Sequence, residues 1–318
     1  MPVECRHCYL CNNSTPIADI RNVRGYRVCE RCYQTRSFVC HACRERCFDF
    51  DRGSEDSNMC YNCESRLFCW DAKPMTFNGK IKEIKSTRRF GVELETAECP
   101  GHTKLNGKTS YGSKYDGSIS GMEFVSPILQ GDQGLWATRG LCTRAKHMGF
   151  RVDDDCGYHL HLDVTNNTDL QIRHIASAYA YTHRFWCQLV KSYRAYDCNY
   201  CHPLTWTGDR MATEYHFREF CRDQNRYCWM NLQSFVRHGT IEIRLHEGTL
   251  DSKRICNWIK AHVRFADFVQ DMKFHEIRNM FNVPERQMWR AVTNTWNDAG
   301  LKRYFRKVAS LTSETCMV

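Results

Sequence analysis

Long hydrophobic runs are absent from this sequence of 318 residues. No window reaches the roughly 18 uninterrupted apolar residues of a membrane-spanning helix, so we expect no membrane span. The first residues also lack the basic and then apolar pattern of a secretion signal, and we therefore expect a soluble, cytoplasmic protein. Long low-complexity segments are missing as well, and a hydrophobic fraction of 42% is ample for a packed core. The length favours two or three domains.

Lysine is absent from the first 69 residues, where ten arginines and nine acidic residues leave a net charge of +1. The rest of the chain therefore carries +8 of the overall +9. Two zinc ions bound by eight thiolates would bring the first segment to about −3, and such a module lacks the clustered cations that bind nucleic-acid backbones. Nucleic-acid binding is not expected, whereas a basic cleft in the larger part suits an anionic substrate such as a nucleotide.

Cysteine is abundant, and eleven of the 21 cysteines lie in the first 69 residues. Without a secretion signal, clustered Cys-x-x-Cys pairs indicate metal sites rather than disulfides. Two structural zinc sites are predicted, because a tetrahedral site takes four thiolates. The predicted ligands are Cys5, Cys8, Cys29 and Cys32 for one site and Cys40, Cys43, Cys60 and Cys63 for the other.

The pairing of these knuckles stays open, because treble-clef and cross-brace arrangements interleave them. Five further residues are spare candidates that could replace a predicted ligand: Cys11, Cys47, Cys69, His7 and His41. The alternative is a small core of reduced cysteines without metal. Because so short a segment lacks the apolar core to fold alone, zinc binding would supply folding energy.

Four segments are predicted along the chain. A cysteine-rich zinc module over 1–70 is followed by a linker over 71–86, which contains a proline and an Asn-Gly turn signal. The main domain covers 87–275, and a basic helical extension covers 276–318.

Hydrophobic periodicity predicts that the main domain has an α+β fold. Strands with alternating apolar residues are expected over 89–95, 122–125, 158–164, 230–232 and 240–246. Helices with an apolar stripe are expected over 133–148, 169–193, 209–222, 252–272 and the tail from 284.

Three of these strands place ionisable residues opposite their apolar face. The residues are Glu93 and Glu95, then His159, His161 and Asp163, then Glu242, Arg244 and His246. One such strand is usually only a solvated face, but three that meet on one surface would form a divalent-metal and polyphosphate site. A loop with Asp116 and Ser118 leads into the strand of Glu123 and would add polar groups at the rim.

Four blocks of the sequence resemble, in the same order, the motifs of the amidoligase family. This family belongs to the superfamily of glutamine synthetase and glutamate–cysteine ligase. The blocks are FGVELE (90–95), DGS with EFVSP (116–118 and 123–127), CGYHLHLD (156–163) and TIEIRLHEGTLD (240–251). The resemblance covers roughly 88–269 and leaves out the cysteine-rich start and the last fifty or so residues.

The resemblance implies a curved antiparallel sheet flanked by helices, with Mg²⁺ and ATP on its concave face. It also implies that a substrate carboxylate is phosphorylated by ATP and then attacked by an amine, on an amino-acid, peptide or protein substrate. The implied Mg²⁺ ligands are Glu93, Glu95, Glu123 and Glu242. The other implied site residues are His159 and His161 at metal or phosphate, Arg244 at phosphate, Asp116 and Ser118 near the amine or substrate, and Asn231 facing the site.

Other interpretations remain open. His159, His161 and Glu93 could instead bind the zinc of a hydrolase, although acid-rich strands favour Mg²⁺. The zinc module could dock a protein without catalysis. A decayed enzyme is not favoured, because every expected site residue is present. Cys198-x-x-Cys201 with the adjacent histidine is a weaker candidate for a third metal site.

Overall fold

The computed structural model describes residues 4–40, 44–52, 60, 72, 75–97, 111–114 and 119–315. The chain divides into two compact units, Met1–Trp70 and Asp71–Val318. Among the helices of the described ranges, none combines the length and the apolar character that crossing a membrane requires.

The described part of the first unit consists of three short hairpins and one helix. Its strands are β1 (Cys5–His7), β2 (Ser14–Pro16), β3 (Ile20–Val23), β4 (Tyr26–Cys29), β5 (Ser37–Val39) and β6 (Arg46–Phe48), and its helix is α1 (Glu30–Thr35). Each strand pairs antiparallel with its neighbour in sequence, β1 with β2, β3 with β4 and β5 with β6. A 3₁₀ turn follows the first hairpin at Ile17–Asp19 and the third at Asp49–Asp51.

The second unit contains one sheet and eleven helices in its described part. The strands are β7 (Phe90–Glu95), β8 (Gly112–Lys114), β9 (Glu123–Val125), β10 (Gly157–Asp163), β11 (Met230–Asn231) and β12 (Thr240–Glu247). The helices are α2 (Gly131–His147), α3 (Asp169–Tyr181), α4 (His183–Cys187), α5 (Ser192–Tyr196), α6 (Gly208–Thr213), α7 (Phe217–Asp223), α8 (Gln233–His238), α9 (Ser252–Val269), α10 (Phe274–Phe281), α11 (Glu285–Thr295) and α12 (Ala299–Thr315). The sheet is antiparallel throughout, in the order β11-β12-β10-β7-β9-β8.

Alternation along the strands explains how the sheet is covered. Val92 and Leu94 of β7 and Leu160 of β10 are fully buried, as the apolar pattern predicts. Helix α9 contacts β10, and its Trp258 and Phe265 are also fully buried. The predicted antiparallel sheet flanked by helices is confirmed.

A β-bulge corrects one part of the strand prediction. The register of β10 on β12 shifts between Tyr158, which pairs with His246, and Leu160, which pairs with Ile243. One extra residue reverses the inward and outward alternation beyond it. His246 was expected beside Glu242 on the polar face, but it is 1% exposed and packs edge-on against Trp258, with ring centroids 4.8 Å apart.

The single helix predicted over 169–193 is wrong, because the chain breaks at Thr182. The Thr182 hydroxyl donates to Ala178 O at 2.8 Å and accepts from Trp186 Nε1 at 3.0 Å. Such a bond to the preceding turn is a known cause of helix bending. The chain therefore continues as two separate short helices, α4 and α5. The segment 209–222 likewise forms two short helices, α6 and α7.

The C-terminal helices are part of the larger unit's core. Trp296, just after α11, and Phe305 of α12 are nearly fully buried, and their rings lie 5.2 Å apart. Arg264 of α9 donates to Asp298 at 2.7 Å, which ties the loop between α11 and α12 to the main domain. The tail is therefore packed by both apolar contacts and a partly buried ion pair.

Candidate functional site

Strand pairing brings the predicted carboxylates and imidazoles together on one face of the sheet. His159 of β10 lies opposite Glu93 of β7, and His161 lies opposite Glu242 of β12. Since these strands are direct neighbours, side chains at facing positions lie within reach of one another. Glu93, His159, His161 and Glu242 therefore lie together on one face of the sheet.

His159 lies among three carboxylates and is 3% exposed. Its Nδ1 is 3.1 Å from Glu93 Oε2 and 3.6 Å from Glu242 Oε1, and its Nε2 is 3.5 Å from Glu95 Oε1. Glu95 is fixed in addition by Gly157 N, which donates to Glu95 Oε2 at 2.5 Å. The imidazole thus separates carboxylates that would otherwise repel one another.

Glu93, His161 and Glu242 form a group that could hold a metal ion. Each offers one ligand atom, and the three atoms lie within 4.8 Å of one another. His161 Nε2 is buried without a hydrogen bond and lies 3.6 Å from Glu93 Oε1. Its Nδ1 lies 3.0 Å from Thr240 Oγ1, the kind of outer partner that orients a metal-ligating histidine. A divalent cation fits this donor set, because it would satisfy the buried nitrogen and neutralise the two carboxylates.

The electrostatics of this group favour opposite charges side by side. Burial would raise the pKa of Glu93, but the imidazoles of His159 and His161 outweigh burial and hold that pKa well below its usual value. Burial would lower the pKa of His161, yet the adjoining Glu93 carboxylate raises it overall. Glu93 is therefore ionised at neutral pH and available as a ligand.

Both carboxylate oxygens of Glu242 accept hydrogen bonds from neighbouring side chains. Arg244 Nη1 donates to Glu242 Oε1 at 2.5 Å, and Asn231 Nδ2 donates to Glu242 Oε2 at 2.7 Å. Burial would raise the pKa of Glu242, but the Arg244 guanidinium lowers it overall. Arg244 itself is oriented by Tyr200 O, which accepts from its Nε at 3.2 Å. A guanidinium fixed beside a candidate cation site suits a phosphate ligand.

Glu123 extends the acidic face onto β9. It lies opposite Glu95 and is 2% exposed. Burial, and then the charge of Glu93, raise the pKa of Glu123 to about 9, although Lys114 opposes them. The carboxyl is thus protonated at neutral pH, and a nearby divalent cation would favour its ionised form.

Lys114 is a site residue that the sequence did not reveal. It lies on β8 opposite Glu123, and its Nζ is 3.1 Å from Glu123 Oε1 and 3.7 Å from Glu93 Oε1. It stands in a stretch rich in Gly, Ser and Lys, which resembles an ordinary loop. No local signal distinguishes this lysine from its neighbours.

Arg194 was also missed. It lies on α5 and is 1% exposed, with Nη2 donating to Arg244 O at 3.0 Å and Nη1 to Cys198 Sγ at 3.0 Å. A Cβ on Gly157 would lie 2.3 Å from Arg194 Nη2 and 2.9 Å from His159 Nε2. Only glycine at this position therefore leaves room for the guanidinium next to His159.

The remaining predicted residues are outside this group or outside the described part of the chain. Asp116 and Ser118 fall outside the described residues. In the described part of the chain, no group of three or more metal ligands includes Cys198 or Cys201.

A second group of candidate metal ligands lies in the first unit. It consists of Cys8, Cys11, Cys29 and Cys32. This set differs from the predicted one by a single residue, because Cys11 takes the place expected for Cys5. Cys5 is exposed on β1, where it pairs with Pro16, whereas a backbone turn at 8–13 joins Cys8 to Cys11.

The second predicted zinc site is described only in part. Cys40 and Cys60 are buried together with Cys47, one of the spare candidates. Cys43 and Cys63 lie outside the described residues.

Comparison with known proteins supports one family. The family model described as "Putative amidoligase enzyme" matches residues 101–266, just over half of the chain. The match contains Glu123, His159, His161 and Glu242, and it begins after β7. No curated protein matches the chain. The chain belongs to the amidoligase family.

Proposed function

We propose that the second unit is an ATP- and Mg²⁺-dependent carboxylate–amine ligase that forms an amide or peptide-like bond. The observation that carries this proposal is the group of Glu93, His161 and Glu242 with Arg244 beside it. Membership of the amidoligase family supports the bond type. We also propose that the six-stranded sheet is the curved sheet of a glutamine synthetase-like fold, which its antiparallel pairing supports.

The proposed chemistry follows from the weakness of a carboxylate as an electrophile. ATP, when bound, would supply the γ-phosphoryl group that converts the substrate carboxylate into an acyl phosphate, with ADP as the leaving group. The amine then attacks the acyl carbon, the C–O bond to phosphate breaks, and the amine loses a proton. Phosphoryl transfer depends mainly on positioning and on cations that spread the developing charge.

The residues of the site fit these tasks. Glu93 and Glu242 would hold Mg²⁺, with Glu95 and Glu123 as further carboxylate ligands on adjoining strands. His161 Nε2 would face the cation or a phosphate oxygen, because it is buried without a hydrogen bond.

The remaining polar groups would position the substrates. His159 keeps the carboxylates apart, and Asn231 and Arg244 orient Glu242. Arg244 would also bind phosphate. Asp116 and Ser118 stay assigned to the amine or substrate side by resemblance alone. The substrate is an amino acid, peptide or protein.

A zinc-dependent hydrolase is the second candidate, and one observation favours it. The metal group contains an imidazole with two carboxylates, a donor set that zinc also accepts. In that case metal retained by the second unit should be zinc, and Mg²⁺-ATP should not bind.

Thermal unfolding with and without Mg²⁺-ATP tests the ligase. Ligand at about 100 times its dissociation constant should add roughly 2.7 kcal/mol to the free energy of unfolding. We expect a Mg²⁺-dependent stabilisation in the wild type that Glu93→Gln loses. Each protein is compared with its own ligand-free form, so an intrinsic effect of the substitution on stability cancels.

Glu219→Gln is the matched control, because Glu219 is an exposed carboxylate on α7 that contributes nothing to the sheet face. It should respond to Mg²⁺-ATP as the wild type does. Well-folded wild type without a shift at millimolar Mg²⁺-ATP would rule out the ligase in favour of the hydrolase or a non-catalytic docking protein.

A further inference from the structure

Four sulfur atoms of the first unit have the spacing of a metal-centred tetrahedron. Cys8, Cys11, Cys29 and Cys32 each offer one Sγ within 4.8 Å of the others. The Sγ atoms of Cys11 and Cys29 are 3.9 Å apart. A tetrahedral zinc with bonds of about 2.3 Å places its sulfur ligands about 3.8 Å apart, whereas a disulfide requires about 2.05 Å. The separation therefore fits a bound metal rather than a covalent bridge.

Two backbone elements present these sulfurs. The first is a turn in which Asn12 N donates to Cys8 O at 2.8 Å and Cys8 N to Asn13 O at 3.0 Å. Asn12 closes it in the left-handed region at φ 59°, a conformation that asparagine adopts more readily than most residues.

The second element is the start of α1. Cys29 is the N-cap of this helix, and Cys32 N lies 3.5 Å from Cys29 Sγ. The first turn of the helix therefore holds the Sγ atoms of Cys29 and Cys32 within 4.8 Å of each other.

The same turn recurs further along the chain. Arg44 N donates to Cys40 O at 2.9 Å, Cys40 N donates to Glu45 O at 2.8 Å, and Arg44 has φ 64°. The two turns are 32 residues apart, and each is followed by a strand and a 3₁₀ turn. Cys40 therefore has the same backbone hydrogen bonds around it as Cys8.

The apolar core in the described part of the first unit is small. Its buried core in this region consists of Val23, Val28 and Phe48 with two of the four cysteines, Cys8 and Cys32. So small an apolar core does not offset the conformational entropy of the chain without a cross-link or a metal.

We propose that Cys8, Cys11, Cys29 and Cys32 bind one structural Zn²⁺ as thiolates and that Cys5 is not a ligand. The first knuckle is thus Cys8-x-x-Cys11. This inference does not depend on the ligase activity.

Thiol alkylation of the native wild-type chain tests the ligand set without a variant. The full-length protein is treated with N-ethylmaleimide before and after zinc removal by a strong chelator, and each cysteine is read by mass spectrometry. We expect Cys5 to react at least tenfold faster than Cys11 while zinc is bound and the difference to disappear after chelation. Equal reaction of Cys5 and Cys11 in the zinc-loaded protein would overturn the assignment.

Zinc content of two matched variants gives a second readout. Cys5 and Cys11 both lie three residues from Cys8, so Cys5→Ser and Cys11→Ser make the same chemical change at equal distances. We expect Cys5→Ser to retain the wild-type zinc stoichiometry and Cys11→Ser to lose one zinc per chain. Loss of zinc from Cys5→Ser, or full retention by Cys11→Ser, contradicts the proposal. The alkylation result decides the matter if Cys11→Ser does not fold.

Discussion

The two units of this chain are stabilised by different means. In the larger unit, apolar burial dominates: Trp186, Trp229, Trp258 and Trp296 are all essentially inaccessible to solvent. Among the described residues, every one of the largest fully buried side chains belongs to this unit. Aromatic side chains of this size bury about 150–250 Å² each.

In the described part of the smaller unit, three of the aromatic side chains are exposed to solvent. Tyr9, Tyr26 and Phe50 are 55%, 48% and 69% exposed, and Phe48 is the aromatic residue of its described core. Cysteine sulfur occupies the positions that apolar side chains fill in the larger unit. The comparison teaches that one unit encodes its fold in hydrophobic patterning and the other in cysteine spacing.

Zinc removal should produce the largest difference in stability between the two units. If the proposed site holds zinc, its binding energy is folding energy, and values of about 10–16 kcal/mol are typical of structural zinc in small modules. We expect chelation to abolish hydrogen-exchange protection of the β3 and β4 amides while the β10 amides stay protected. Peptide-level hydrogen exchange of the intact chain measures both regions in one sample.

The β10 amides serve as the internal control, because strands β7 and β12 pair with both edges of β10. Re-addition of Zn²⁺ should restore protection in β3 and β4. Protection of these strands that survives complete zinc removal would mean that the small apolar core suffices, and the comparison would fail.

Truncation of a buried aromatic side chain should lower the free energy of unfolding of the larger unit, by less than zinc removal costs the smaller unit but still by a large amount. Trp258 is fully buried against His262, Trp186 and Phe305, and its Nε1 makes no hydrogen bond. Trp258→Ala therefore removes apolar contacts alone and should cost about 3–5 kcal/mol. Urea unfolding monitored by circular dichroism gives this difference.

Trp136→Ala is the control for the same substitution on the surface. Trp136 lies on α2 and is 56% exposed, so the change should stay within about 0.5 kcal/mol. Similar losses in both variants would show that tryptophan content, rather than burial, determines the stability of this unit.

The sequence predicts the larger unit better than the smaller one, because hydrophobic patterning encodes the one and cysteine spacing the other. In the larger unit, alternation located the long strands, and strand pairing then brought Glu93, His161 and Glu242 together. Periodicity works there because one face of each strand is buried. In the smaller unit, two overlapping Cys-x-x-Cys pairs share Cys8, and spacing alone does not choose between Cys5 and Cys11.

The parts that could not be predicted depend on tertiary contacts. The bulge in β12 moves His246 into the core, and no periodicity in the sequence marks the extra residue. Arg194 and Lys114 reach the site from a short helix and an edge strand, each within a stretch without a regular pattern. Thr182 ends α3 through the hydrogen bond of its side chain to Ala178 O, and helix propensity does not predict such a bond.

His246, which was predicted on the polar face of β12 but lies in the core, gives the smallest of the predicted effects. This effect depends on pH. Burial lowers the pKa of His246 from 6.5 to about 4. Between these values the unfolded chain binds a proton that the folded chain does not, so the free energy of unfolding falls as the pH is lowered. We expect a loss of about 2 kcal/mol from this residue between pH 7 and pH 5, measured by urea unfolding.

His246→Asn should flatten this dependence, because asparagine does not titrate and can donate to Glu247 O as His246 Nδ1 does at 2.7 Å. His238→Asn, at an exposed position on α8, should keep the wild-type slope. Other groups also contribute to the wild-type dependence. Burial lowers the pKa of His262 well below 6.5 and adds to the loss at low pH, whereas the raised pKa of Glu123, about 9, and the raised pKa of His161 act in the opposite direction. The contribution of His246 is therefore the difference in this dependence between the wild type and His246→Asn. An equal dependence in the two proteins would place His246 back in contact with solvent and return it to the polar face of β12.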